Sequence, residues 1–511
     1  MSGNRFKQEE TERTECVSLF PLFAPVQNNA SPAPLSPRSP LLTLSPLFTL
    51  LTLLAGCSVG PNYHPPTMPA GAAFSNGGQT NFAVQPITIE WWKQFNDPHL
   101  TSLIERAISS NLDVRVATAR VREARALRSQ AVADYFPAAN ANASYTKSAE
   151  SRDSLHDSTT SQRYNELWNA GFDATWELDI FGRVRRSVEA SSADLGATIA
   201  NRQDVLLSLM AEIARNYFEL RGTRIHLEVA RKNAENQRQT LDLTETKFRA
   251  GRATELDAAR ARAELTSTLA AIPPLESDVK HAIHRLSVLL GQLPAALDSE
   301  LGKQSPAPAQ PTLINIGNPA DLLRRRPDIR VAERNLAAAT ARIGVETADL
   351  FPRVTFNGNV AMEANTIGEF GGAGSDSYSF GPKISWAALD FGHVRARIKA
   401  ANARADAELA LYEKTVLNAL EDTENALVDI GREQARRELL RQSDRAATEA
   451  TDLARQRYEG GIADFLPVLD AERTQLDIQV QLARSNTQVV LDLIALYKAL
   501  GGGWESAPPP S

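Results

Sequence analysis

Cysteine is almost missing from these 511 residues: there are two, Cys16 and Cys57. Neither has the neighbours of a zinc or redox site, and two thiols cannot build a disulfide framework. Positive charge is not in excess either. Lys plus Arg total 55 against 61 Asp plus Glu, a formal charge of -6, where a nucleic-acid binder would want a basic face. No run of about 20 apolar residues follows residue 60, which excludes a transmembrane helix beyond the N-terminal region. If the mature chain crosses a membrane, it does so with strands. Catalytic signatures are missing as well: there is no Ser/His/Asp order, nucleotide loop or metal motif. His281 and His284 share a helix face at metal-like spacing, but no third ligand accompanies them and a solvated face is the favoured reading. The chain is read as a non-enzyme without a cofactor. With 23% charged and 43% hydrophobic residues it can still bury a core.

The N-terminus reads as processing. Residues 41–54, LLTLSPLFTLLTLL, stand behind Arg38 and before Ala55, Gly56 and Cys57. A short apolar run behind a basic residue, ending in small residues, has the signal-peptide pattern and is too short for a permanent span. Leu54-Ala55-Gly56-Cys57 resembles a bacterial lipobox, in which the cysteine thiol is acylated and becomes the mature first residue. Acyl chains anchor at about 0.8 kcal/mol per buried methylene. The alternative is a buried apolar segment with an incidental cysteine. Residues 1–56 are assigned as leader and signal peptide, and 57–96 as a lipid-anchored N-terminal segment. The length of the Pro/Ser-rich stretch 1–40 points to a start codon further downstream.

The body repeats itself. NLDVRVA, beginning at 111, and a segment ending in ADYFP at 137 recur as RPDIRVA and ADLFP at an offset of 215 residues. Trp176 leads into LDIFGRVR and Trp386 into LDFGHVR, and KFRAGRATEL at 247–256 matches RYEGGIADFL at 457–466, both offset by 210. Two copies of one plan follow: helix, hairpin, long helix, tight turn, helix. Repeat 1 covers 97–300, with its hairpin at 137–180 and its turn at 249–254. A linker spans 301–320. Repeat 2 covers 321–500, with its hairpin at 352–390 and its turn at 459–464, and a flexible tail ends the chain at 501–511.

The hairpins carry β periodicity. Trp168, Ala170, Phe172, Ala174, Trp176 and Leu178 alternate with Asn169, Gly171, Asp173, Thr175 and Glu177, the length of a tilted membrane-crossing strand. Val354, Phe356, Val360 and Met362 alternate with polar neighbours, and a strand at 378–388 puts Tyr378, Phe380, Ile384 and Trp386 on one face. Segment 138–146 is the weakest, being mainly Ala and Asn. A soluble sandwich also alternates, so periodicity alone leaves membrane insertion open. The strand count decides something else. Four strands cannot close a barrel, and an open edge in lipid leaves backbone groups unpaired. Insertion therefore requires several copies of the chain.

The rest is helix. Segments 187–249 and 393–459 contain no internal proline. Ile398, Ala405, Tyr412, Ala419 and Ala426 recur every seven residues beside a second seam of Leu409, Val416, Thr423 and Ile430, a coiled-coil pattern. Asp97-Pro98 reads as an N-cap with proline at the first helical position. Pro273 and Pro274 should break or kink the helix returning from the first turn.

LLAGCSVGPNYHPP at 53–66, WWKQFNDPHLTSLIERA at 91–107, WELDIFGRVRR at 176–186, LLRRRPDIRVAE at 322–333 and LYKALGGGW at 496–504 resemble the TolC-type outer-membrane factors, in particular the NodT-like lipoproteins of RND (resistance-nodulation-division) efflux systems. The resemblance implies a mainly helical subunit with a small transmembrane β part. It implies a homotrimer whose four strands per subunit make a twelve-stranded barrel above a coiled-coil-like helical tunnel. It also implies an equatorial collar, lipid anchoring in the outer membrane, and partnership with a periplasmic adaptor (membrane fusion) protein and an inner-membrane RND transporter. Such a duct is passive and exports drugs or other small molecules; the alternatives are a duct for type I protein secretion and a periplasmic coiled-coil structural or adaptor lipoprotein. The family places its helix-turn-helix tips where the adaptor docks, here Gly251, Arg252, Ala253 and Thr254 with Gly461, Ile462, Ala463 and Asp464. Both glycines sit where a helix must reverse, and Thr254 and Asp464 are also candidate N-caps. Asp464 is the gate candidate, because symmetric copies would form a cation-attracting ring. Trp168, Trp176 and Trp386 are candidates for an interfacial aromatic girdle, with core packing as the alternative. Trp91 and Trp92 pack the N-terminal segment, and Arg324, Arg325 and Arg326 read as an exposed helix start or a collar contact.

Overall fold

The computed structural model describes residues 58–67, 71, 73–78, 82–149, 151, 164–302 and 314–509. The expected leader 1–56, the acylation candidate Cys57 and parts of the 148–162 loop and the 301–320 linker lie outside the described residues. The described residues form one unit.

Its elements run in the duplicated order. A two-residue strand, β1 (Phe82–Ala83), and a 3-10 turn (Trp91–Phe95) precede α1 (Pro98–Ser110) and α2 (Leu112–Ala133). The first hairpin is β2 (Ala138–Ala149) and β3 (Tyr164–Leu178), followed by α3 (Arg183–Arg249), α4 (Glu255–Ala270) and α5 (Ile272–Leu289). Short elements α6 (Asp298–Leu301), β4 (Ile314–Asn315) and α7 (Pro319–Arg325) link the copies. The second copy is α8 (Pro327–Ala348), β5 (Arg353–Ala364), β6 (Asp376–Ser385), α9 (Phe391–Glu459) and α10 (Leu466–Ala499). With 67 and 69 residues, α3 and α9 are each about 100 Å long at roughly 1.5 Å per residue.

Local chemistry explains the boundaries. The Asp97 side chain accepts from the His99 and Leu100 amides, with Pro98 at N1. Pro273 and Pro274 fall in the first turn of α5, so the return path of repeat 1 is interrupted at Ala271, while α10 is continuous. Seam residues Ala405, Tyr412, Ala419, Ala426, Val416, Thr423 and Ile430 are buried, whereas Ile398 and Leu409 are half-buried.

The main core lies where Trp91, Trp92, Phe95 and α1 meet the middle of α3, the ends of α5 and α10, and the middle of α9. Trp91 stacks on Tyr497 at 5.2 Å and donates its Nε1 to the Gly502 carbonyl at 3.2 Å. That contact also changes the expectation for 501–511. In place of a free tail, residues 501–509 lie against the core: Glu505 pairs with Arg325 at 3.0 Å and the Pro508 carbonyl accepts from Arg202 at 3.2 Å.

Candidate functional site

Strands β2-β3-β5-β6 form one antiparallel sheet in that order. Because paired residues share a face, the register sorts the side chains. Ala141, Phe172, Val360 and Tyr378 form one row, and Ala139, Ala174, Gly358 and Phe380 the next on the same face. Asn140, Asp173, Asn359 and Ser379 form a row on the opposite face. From Trp168 to Leu178 one face is apolar across β2, β3 and β5, with Asp376, paired with Met362, entering it at the loop end of β6; among the described residues it stays open, Phe172 being 66% exposed, Tyr378 71% and Phe380 72%. The polar face is knitted by Asp173, which accepts from Asn142 and, at 2.6 Å, from Asn359. The Lys147–Glu166 ion pair, 2.6 Å, ends the apolar face just beyond Trp168 and Tyr145. From Trp168 to Leu178 the band is about 34 Å along the strand at roughly 3.4 Å per residue. Tilted by about 45°, that matches the ~25 Å apolar height of a membrane barrel.

The three tryptophans divide between the ends of this band. Trp168, half-buried, packs on Tyr145 at 4.4 Å near the loop end. Trp176 donates to the Tyr135 carbonyl at 2.9 Å and Trp386 to the Leu350 carbonyl at 3.0 Å, the same contact in each repeat, at the helix end. Trp386 lies one residue past β6, which spans 376–385 where 378–388 was expected.

At the opposite ends of α3 and α9 the two turns are built alike. Gly251 and Gly461 have φ +68° and +72°. Gly251 N–H donates to Phe248 and Arg252 N–H to Lys247; Gly461 N–H donates to Tyr458 and Ile462 N–H to Arg457. This double closure is a Schellman motif. Thr254 caps α4 through a reciprocal bond with Asp257. Asp464 does not cap: α10 starts after Phe465, with no side-chain cap, and Asp464 is exposed. Arg252, Thr254 and Ile462 are also exposed; Ala253 and Ala463 are half-buried. Lys247 bridges the two turns, donating to the Tyr458 carbonyl with its Nζ 4.1 Å from the Tyr458 ring centre.

Two side chains had a role that residue type alone did not signal. Arg326 is buried, not an exposed helix start; it pairs with Asp328 at 2.7 Å and Asp422 at 3.2 Å and donates to the Ala499 carbonyl at 3.2 Å. Its counterpart at the 215-residue offset, Asn111, donates to the Leu289 carbonyl at 2.9 Å. Each thus ties the start of its repeat to the end of that repeat's returning helix. Arg324 is exposed. Asp97 likewise does more than cap, receiving the Arg221 guanidinium and the Tyr217 hydroxyl, the latter at 2.8 Å. His281 makes a 3.5 Å contact with Ser277 on its own helix, and no group of three metal-ligating residues occurs among the described residues.

Comparison with known proteins agrees with this geometry. The family model described as outer membrane efflux protein matches residues 103–292 and 318–502, one copy of the repeat each. The chain is 37% identical to nodulation protein T of Rhizobium leguminosarum bv. trifolii, over 88% of this chain and 96% of that one. It is 31% identical to a toluene efflux pump outer membrane protein of Pseudomonas putida, over 89% and 97%. Among solved structures, the outer-membrane channel OprN superposes with a TM-score of 0.83 at 42% identity, over 88% of this chain and all of that one.

Proposed function

The chain belongs to the outer membrane efflux protein family, and from that premise we propose that it works as one of three identical subunits that together form an exit duct. It is an outer-membrane efflux channel protein. Its share of the duct's membrane part is the β2-β3-β5-β6 sheet, and one observation carries this reading. The sheet has a largely apolar face, which Asp376 enters at the loop end of β6, an opposite face rich in polar groups, and two outer edges, on β2 and β6, without a strand partner among the described residues. In lipid those edges are satisfied only by strands of other copies, and three copies give twelve strands, a closed barrel with its polar face inward. The alternating strands also speak against the rival reading as a periplasmic coiled-coil adaptor.

The finer assignments rest on this frame. Trp168 marks one interface of the bilayer, Trp176 and Trp386 the other, so the loops face outward and α3 and α9 run into the periplasm. Gly251, Arg252, Ala253 and Thr254 with Gly461, Ile462, Ala463 and Asp464 then form the far periplasmic end, where an adaptor protein docks and links the duct to an inner-membrane RND pump. Exposed, uncapped Asp464 is the residue whose three copies narrow that end with negative charge. Acylation at Cys57 adds a second hold on the outer membrane. The similarity to efflux proteins favours small-molecule cargo over type I protein secretion.

Purified outer-membrane fractions should yield a detergent-stable trimer that conducts ions in a planar bilayer. Recovery of the mature chain as a soluble periplasmic monomer defeats the proposal. Cys57→Ser should abolish incorporation of radioactive palmitate while leaving the trimer detectable; unchanged labelling refutes the assigned anchor.

A further inference from the structure

The residues directly after Cys57 are held, not free. Ser58 packs so closely on Gly182, at φ +84°, that a Cβ on that glycine would stand 2.8 Å from the Ser58 Cα. The Val59 N–H donates to the Phe181 carbonyl at 3.1 Å. Arg186, 3% exposed on the first turn of α3, turns its guanidinium onto the same segment. Its Nε donates to the Val59 carbonyl at 3.1 Å, and its Nη2 to the Gly60 carbonyl at 3.2 Å and to Asn62 Oδ1 at 2.9 Å. Nη1 is paired with Glu189 at 2.8 Å. Two glycines make this approach possible. A Cβ on Gly60 would lie 2.5 Å from the Gly344 Cα, and one on Gly344 would lie 2.8 Å from Arg186 Cγ and Cδ. Further along, the Tyr63 hydroxyl donates to Glu333 at 2.7 Å. The segment therefore lies across both repeats, between the start of α3 and the body of α8. Most of the donors of a buried arginine are spent on an irregular stretch of chain, which makes the side chain a receptor for that stretch more than a support for its own helix.

We infer that Arg186, together with the Gly60–Gly344 contact, is the positioning site for the lipidated N-terminus, fixing where the acyl chains on Cys57 enter the bilayer. The inference rests on the acylation of Cys57 proposed above. Ser58 is held at Gly182, four residues beyond Leu178, which ends the apolar row of β3. The acyl chains consequently enter beside β3, at the junction of sheet and helix. A loose tether of the same length, from 58 to the Glu424 contact at 75–76, would let them wander over about 25 Å.

The test uses the full chain, expressed with its leader in Gram-negative cells fed a diazirine-bearing palmitate, then purified as the assembled protein. Photo-cross-links from Cys57 are mapped by mass spectrometry, and hydrogen exchange is followed over 58–66 and over α3. In the unsubstituted protein cross-links should fall on 164–182. Arg186→Gln and, independently, Gly344→Ala should keep the label on Cys57 but scatter or lose those cross-links and speed exchange over 58–66 by about tenfold or more, with α3 still protected. Arg342→Gln, which removes a half-exposed ion pair with Asp194, should change neither. Absence of label on unsubstituted Cys57 removes the acylation reading itself. Normal labelling with unchanged cross-links and exchange in both variants overturns the positioning role, as does exchange that rises equally throughout α3.

Discussion

Asp204 shows how a single half-buried group reports on the packed middle of the molecule. Burial pushes its carboxyl above the ordinary aspartate range, Asp328 adds repulsion, and Lys498 and Arg326 offset only part of this. A carboxyl whose folded value is raised holds its proton longer in the folded than in the unfolded chain. Its contribution is therefore favourable in acid and is lost as pH rises from the ordinary aspartate value of about 3.9 through the folded value. At neutral pH the charged, desolvated form is a net cost. Asp204→Asn should raise the thermal unfolding midpoint at pH 7.5 and give no gain near pH 3.5; a lowered midpoint at pH 7.5 contradicts the assignment. Gly251 and Gly461 make a separate case. Nothing lies within 4 Å of a Cβ built at either position, so replacing them brings no clash, only the strain of a left-handed residue. Gly251→Ala and Gly461→Ala should each destabilise by about 1–2 kcal/mol, measured by thermal or denaturant unfolding. Near-neutral effects would mean that the helices close by another route.

At the scale of elements, the sheet makes the sharper prediction because its two faces differ strongly in polarity. Phe172 is in the middle of the apolar band and Thr175 is on the polar face of the same strand. A lysine at the bilayer midplane costs about 2–4 kcal/mol, so Phe172→Lys should strip the assembled, heat-resistant oligomer from outer-membrane fractions. Thr175→Lys, facing a watery interior, should leave it. Equal loss in both would mean that the apolar face meets protein and not lipid. Alternation in β3 and β5 was legible because a period of two survives without tertiary information, and the turns because only glycine adopts their φ cheaply. The duplication supplied the rest of the plan. Arg326 was misread because three consecutive arginines look solvated, and only the acids and carbonyls brought to it by α8, α9 and α10 make a buried guanidinium tolerable. Asp464 looked like a cap by type, yet α10 begins after Phe465, whose ring packs at 5.6 Å on Tyr458. The docking of Gly502 and Glu505 at the core was equally hidden, since GGGWES by itself has no periodicity.

For the whole molecule the decisive feature is what one chain leaves unfinished. Strands β2 and β6 each have a neighbour on one side only, and the exposed side of each presents backbone donors and acceptors that a soluble protein would blunt with charge or bury. On β2 the outward run 138–146 is Ala, Asn, Ser, Tyr and Thr, without a charge, which reads as an edge meant to pair. If β2 of one copy joins β6 of the next, cysteines placed on the polar face of both strands will be brought within disulfide distance at one register and not at others. A scan pairing Asn140→Cys or Asn142→Cys with Ser377→Cys, Ser379→Cys or Ser385→Cys should give, for at least one pair, oxidised species on denaturing gels that stop at three chains. Cys57 is already acylated in this reading and stays out of the reaction. Ladders that continue past three would mean open-ended stacking of edges, and ladders that stop at two would mean a barrel of eight strands. Only a closed ring of three accounts for a ladder that ends at that size and collapses to single chains on reduction.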